Sequence, residues 1–172
     1  MLCIDWFNGC RTPLLDGSLT GAFAGLNLNH RPHHLYRALL EASAFGLRWN
    51  VETLREGGVP VKKFIATGGL SHANPLVIRV YADVLGETIT VHPSTQGPAL
   101  GAAILGVLAA GKAASGFASP RAAIRAMAAP KPAAGSAARV VRPRRSATTV
   151  YDGLYRRYRE LAAFFQRFRH GD

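Results

Sequence analysis

Two cysteines, Cys3 and Cys10, are all that 172 residues contain. Their spacing fits no zinc or redox motif, so they read as the free thiols of a cytosolic protein. Long apolar runs are missing too. The longest, residues 98–110, contains Gly101 and Gly106 and falls short of the roughly 20 residues that a membrane span needs. The opening Met1-Leu2-Cys3-Ile4-Asp5-Trp6 has no basic stretch followed by an apolar one, so no secretory leader is expected. Acidic residues are scarce, 10 against 21 Lys and Arg. What is present is a 48% hydrophobic composition, enough for one core-forming domain, soluble and cytoplasmic, rather than a disordered chain.

The net charge of +11 is unevenly spread. Residues 1–110 hold 8 Lys and Arg against 7 Asp and Glu, whereas residues 111–172 hold 13 against 3. The densest run, Arg139, Arg142, Arg144 and Arg145, lies in an Ala/Pro/Ser stretch without interleaved aromatics. A single-stranded nucleic-acid platform needs such aromatics for stacking. A solvated arginine-rich surface is therefore expected over a nucleic-acid module.

Periodicity and punctuation divide the chain. Residues 1–30 are broken by Gly, Pro and Asn into loops and short strands. Pro32 suits the first position of a helix, and Leu35, Leu39, Ala42, Phe45, Gly46 and Trp49 recur at helical spacing until Gly57-Gly58. A buried strand is expected over residues 63–67, stopping at Gly68-Gly69. Asn74-Pro75 opens a second helix, with Asn as cap and Gly86 as left-handed stop. Residues 88–91 alternate as a strand, and residues 98–110 form a third helix rich in small residues, with Gln96 in a capping place. This β/α alternation fills a core of residues 1–110. Residues 111–147 read as an Ala/Pro/Arg-rich link with one short helix (120–127), and residues 148–172 as a closing segment whose helix starts at Tyr151. His33 and His34 are adjacent and diverge on a helix, which argues against a metal pair; no metal site is expected.

Three segments, in order, carry a family resemblance. They are Asp5-Trp6-Phe7-Asn8-Gly9 with Arg11-Thr12-Pro13; Gly68-Gly69 with Asn74-Pro75-Leu76, Ala82-Asp83-Val84 and Gly86; and Ala99-Leu100-Gly101-Ala102-Ala103-Ile104. Together they resemble the C-terminal domain of the FGGY carbohydrate kinases, closest to the ribulokinase branch, and Leu154-Tyr155-Arg156-Arg157-Tyr158 is similar to the end of that branch.

The resemblance implies an α/β fold, the RNase H-like domain of actin/hexokinase-type ATPases, with a mixed sheet and flanking helices, incomplete relative to the family. It implies ATP with Mg as cofactor and phosphorylation of ribulose, or of another pentulose, in the complete enzyme. By position, Gly68, Gly69 and Asn74 would line the nucleotide pocket. The physics agrees, since glycines after a strand let backbone N–H groups approach a ligand; a plain tight turn is the other reading. The family's DxGT phosphate loop and its aspartate base belong to an N-terminal domain, and neither is found here. No catalytic residue is therefore assigned, and the chain is expected to be a truncated or split piece, inactive alone, that meets sugar only with the missing domain. Asp5 and Asn8 form either a loop facing the sugar cleft or a turn anchored by two buried aromatics. Arg11 meets a phosphate or pairs with Asp5, and Asp83 is expected to make a structural hydrogen bond. Trp6 and Phe7, beside Leu14, Leu15 and Phe23, are expected to form a partly bare apolar patch that promotes self-association or pairing with an N-terminal half.

Overall fold

The computed structural model describes residues 1–128 and 139–170. In chain order the elements are β1 (Leu2–Ile4), β2 (Ala22–Ala24), α1 (Pro32–Glu56), β3 (Phe64–Ala66), α2 (Gly69–Ala73) and α3 (Pro75–Leu85). There follow β4 (Ile89–Val91), α4 (Gly97–Ala109), α5 (Gly111–Ser115), α6 (Pro120–Met127), β5 (Arg139–Val141) and α7 (Arg145–His170). None of the described helices is long and apolar enough to cross a membrane. The chain divides into two compact units: Met1–Lys63 with Leu76–Thr88 and Arg142–Asp172, and Phe64–Pro75 with Ile89–Val141.

The first unit is built on the long helices α1 and α7 and the antiparallel pair β1–β2. Pro32 opens α1, and the helix ends where Gly57 N–H donates to the Thr53 carbonyl at 3.0 Å. The expected apolar stripe of α1 is the one that packs: Ala38, Ala42, Phe45 and Trp49 are buried. Phe45 meets three tyrosines of α7, with ring centroids 6.1 Å from Tyr151, 5.9 Å from Tyr155 and 5.3 Å from Tyr158. Ile4, Val80 and Val84 complete this core. Polar ties run along its edge. Tyr155 donates to Glu52 at 2.6 Å, Arg48 bridges Glu52 and Asp152, and the Arg159 guanidinium lies 3.9 Å from the centre of the Trp49 ring.

Trp6 corrects the expectation of a bare aromatic. It is 5% exposed and belongs to the same core, together with buried residues of α1 and α7 of its own unit. Phe7 is 60% exposed and Leu15 82%, so the apolar patch is narrower than the sequence suggested and does not include the tryptophan.

The second unit carries a three-stranded sheet in the order β3-β4-β5, parallel between β3 and β4 and antiparallel between β4 and β5. This is the mixed α/β arrangement expected. Helix α6 spans the residues read as a short helix, and Ser119 caps it by accepting from Ala122 N–H at 3.2 Å. Strand β5 was not foreseen; it lies in the stretch read as a link, of which residues 129–138 fall outside the described residues.

Candidate nucleotide-binding turn

Strand β3 ends at Ala66, and after Thr67 the chain turns at Gly68, with φ 88° and ψ 170°. That conformation is essentially open to glycine alone, so the first glycine is required by the backbone. Gly69 begins α2 and has ordinary helical freedom. A side chain at either position would meet nothing within 4 Å: the space beside the turn is open. Gly97, at the start of α4, is there for the opposite reason, since a Cβ would lie 2.9 Å from Thr67 Cβ.

The turn is held from several directions. Ser71 Oγ donates to the Gly68 carbonyl at 2.7 Å, and Arg139 of β5 donates to the Ser71 carbonyl at 2.7 Å. His72 Nε2 lies 3.0 Å from the His92 carbonyl, and His92 N–H donates to Ala66 O at 2.9 Å. Of these partners, Arg139 was read from the sequence only as part of a solvated arginine run, and His92 was given no role in the turn. The only available signal was their proximity to a strand, and for Arg139 that strand was itself missed.

Asn74 lies elsewhere than a direct strand-to-helix turn would place it. Helix α2 intervenes, and Asn74 stands extended (φ −131°, ψ 92°) between α2 and α3, its N–H donating to Leu70 O at 3.1 Å. Pro75 is the first residue of α3, as expected. Gln96 occupies the N-cap position of α4 but makes no side-chain cap.

The other sequence candidates lie in the first unit. Asp83 is fully buried and accepts from Arg144: backbone N–H at 2.7 Å, Nε at 3.0 Å and Nη2 at 2.6 Å. This is the structural role expected. Arg11 is exposed and forms no ion pair with Asp5 among the described residues. Burial pushes the Asp5 carboxyl up. Burial also pushes the Cys3 thiol up, to about 12, which leaves it protonated and unreactive near neutral pH.

The sequence profile of the FGGY family of carbohydrate kinases, C-terminal domain, matches residues 1–110. The chain belongs to the FGGY family. It is 40% identical over 165 residues to a ribulokinase from Bacillus licheniformis, covering 96% of this chain and 29% of that protein. A ribulokinase from Mycolicibacterium smegmatis is 46% identical over 112 residues, which is 65% of this chain and 20% of that protein. Among solved structures, a xylulose kinase from Rhodospirillum rubrum superposes with a TM-score of 0.69 at 28% identity, covering 98% of this chain and 31% of that one. This FGGY-family chain thus has the α/β fold of sugar kinases and spans about 29% of the length of the curated ribulokinase it matches over most of its residues.

Proposed function

We propose that this chain forms the adenosine side of the ATP site of a cytoplasmic ribulokinase, which transfers the γ-phosphoryl of ATP to the terminal hydroxyl of ribulose to give ribulose 5-phosphate. The reading rests chiefly on the ribulokinase likeness across 96% of the chain, supported by the open glycine turn in the second unit. Gly68 and Gly69 offer backbone to the nucleotide, and Asn74 contributes from the junction of α2 and α3. Gly68 does so in a conformation that would strain any other residue. Phosphoryl transfer depends on positioning and on neutralising charge about the γ-phosphate. ATP brings Mg with it in the complete enzyme, and the sugar, the base and the phosphate loop are contacts of the N-terminal domain of the family. The likeness to a xylulose kinase favours a second substrate, another pentulose.

Reconstitution tests this. The purified chain is expected to show no ribulose-dependent ADP release by itself. Mixed with the part of the Bacillus licheniformis ribulokinase that it does not match, it is expected to form a complex and restore turnover, with ribulose preferred to xylulose. Turnover by the clean chain alone, or an inactive complex, contradicts the proposal.

A further inference from the structure

Two histidines at the start of α1 have their protonation set by the backbone. Asn27 N–H donates to His30 Nδ1 at 3.0 Å, and Arg31 N–H donates to His34 Nδ1 at 3.0 Å. A ring nitrogen that accepts a bond carries no proton, so in each neutral imidazole the proton sits on Nε2. The Asn27 carbonyl also lies 3.3 Å from His30 Nδ1. A proton placed there would collide with the hydrogen of Asn27 N–H, which the peptide plane fixes. Desolvation and the neighbouring His33, His30 and Arg31 hold His34 below the ordinary histidine range, which keeps it neutral near neutral pH. Neither Nε2–H has a partner among the described residues.

Both rings line a cleft of about 360 Å³ in the first unit, with Asn27, Asn29, Arg37 and Glu41 among its other walls. This is within the size of small-molecule sites, about 300–1,000 Å³. Arg37 uses Nε on Glu41 and Nη2 on the Tyr151 hydroxyl, which leaves Nη1. Glu41 is the one carboxylate lining the cleft, and its Oε1 already accepts from Arg37 at 2.6 Å and from Tyr151 at 2.9 Å. The cleft therefore has spare donors beside a carboxylate that is already neutralised. We infer that it binds a phosphate-type oxyanion, free or as a monoester, whose oxygens accept from His30 Nε2–H, His34 Nε2–H and Arg37 Nη1–H.

Geometry and charge select this class. The His30 and His34 rings lie 5.7 Å apart between centroids at an interplanar angle of 84°, so they do not share a plane. A tetrahedral anion offers oxygens in several directions, whereas the two oxygens of a carboxylate lie in one plane. The guanidinium adds a charge-assisted bond. A divalent metal is the other ligand that paired histidines attract. Here neither ring keeps a lone pair for one, since Nδ1 is engaged and Nε2 is protonated. The inference concerns the first unit alone and is independent of the nucleotide reading.

The test titrates the full chain near neutral pH with sodium phosphate and with methyl phosphate, following amide shifts of residues 27–34 and the imidazole nitrogens. Sodium chloride at matched ionic strength is the control for screening. Saturable shifts are expected with phosphate or its ester and not with chloride, and the tighter of the two identifies the free ion or the monoester as the ligand. Two variants keep the backbone bond and remove the donor. His30→Asn places Oδ1 where Nδ1 stood, and His34→Glu, at the third helical position, supplies the carboxylate that closes a capping box. His30→Asn is expected to weaken binding at least threefold and His34→Glu at least tenfold, both keeping the thermal midpoint. The proposal is overturned if neither phosphate compound shifts these signals beyond chloride, or if both variants bind as the parent does.

Discussion

Phe45→Ala is expected to lower the unfolding free energy of the first unit by about 4 kcal/mol, the range found for large aromatics truncated in cores. Phe45 is 1% exposed and sits against Tyr151, Tyr155 and Tyr158, so its removal opens a cavity bounded by three rings. Two of those rings are fixed at their hydroxyls, Tyr151 donating to Glu41 and Tyr155 to Glu52, and cannot collapse into the gap. A loss of 4 kcal/mol is a large part of the ~5–15 kcal/mol that holds a typical domain together. Trp6 and Trp49 are the only tryptophans and both lie in this unit, so fluorescence in urea reads its unfolding. A midpoint within experimental error of the parent would contradict the packing described.

The second large effect concerns Asp83. Its carboxylate accepts the Arg144 backbone N–H and two guanidinium N–H groups, and it lies beside the N-terminus of α7, where negative charge is favoured. Asp83→Leu is expected to cost about 3 kcal/mol, from the loss of several bonds to a charged acceptor. Removal of the partner is expected to be worse. Arg144→Met strands a fully buried carboxylate with one backbone donor, although the side chain removed is 58% exposed. The double variant is expected to recover much of the loss, because replacing a buried pair by apolar groups is often near neutral. Urea midpoints for the three variants check the order. Additive losses would show that the pair does not act as a unit.

These two sites also show where the sequence was legible. The stripe of α1 could be read because Pro32 and Gly57-Gly58 punctuate it and its apolar residues keep the helical period. Asp83 stood in a recognisable segment, but its partner did not: Arg144 belongs to an arginine run that looked like solvated surface. In the structure Arg139 and Arg144 are both anchoring side chains, donating to Ser71 O and Asp83. Strand β5 escaped notice because three residues among Ala, Pro and Arg carry no period, and its pairing partner β4 lies nearly 50 residues earlier. Helix α2 escaped because five residues starting at a glycine look like a turn. Helix α7 starts at Arg145, earlier than the Tyr151 expected, because the residues before Tyr151 are small or β-branched and weak as a periodic signal. Trp6 is buried in a core that it shares with residues of α1 and α7, a long-range arrangement that local sequence does not report.

Of the proposed nucleotide residues, Gly69 gives the most direct measurement. Unlike Gly68 it has a helical backbone, and the space at its Cβ is open, so Gly69→Val is expected to fold while filling the room beside the turn. The measurement is a titration of the chain with ADP, followed by amide chemical shifts of residues 66–74. Saturable shifts with a Kd in roughly the millimolar range, about −4 kcal/mol, are expected for the parent, and none for Gly69→Val with its spectrum otherwise native. An unchanged titration in the folded variant, or no binding by the parent, would contradict the nucleotide site.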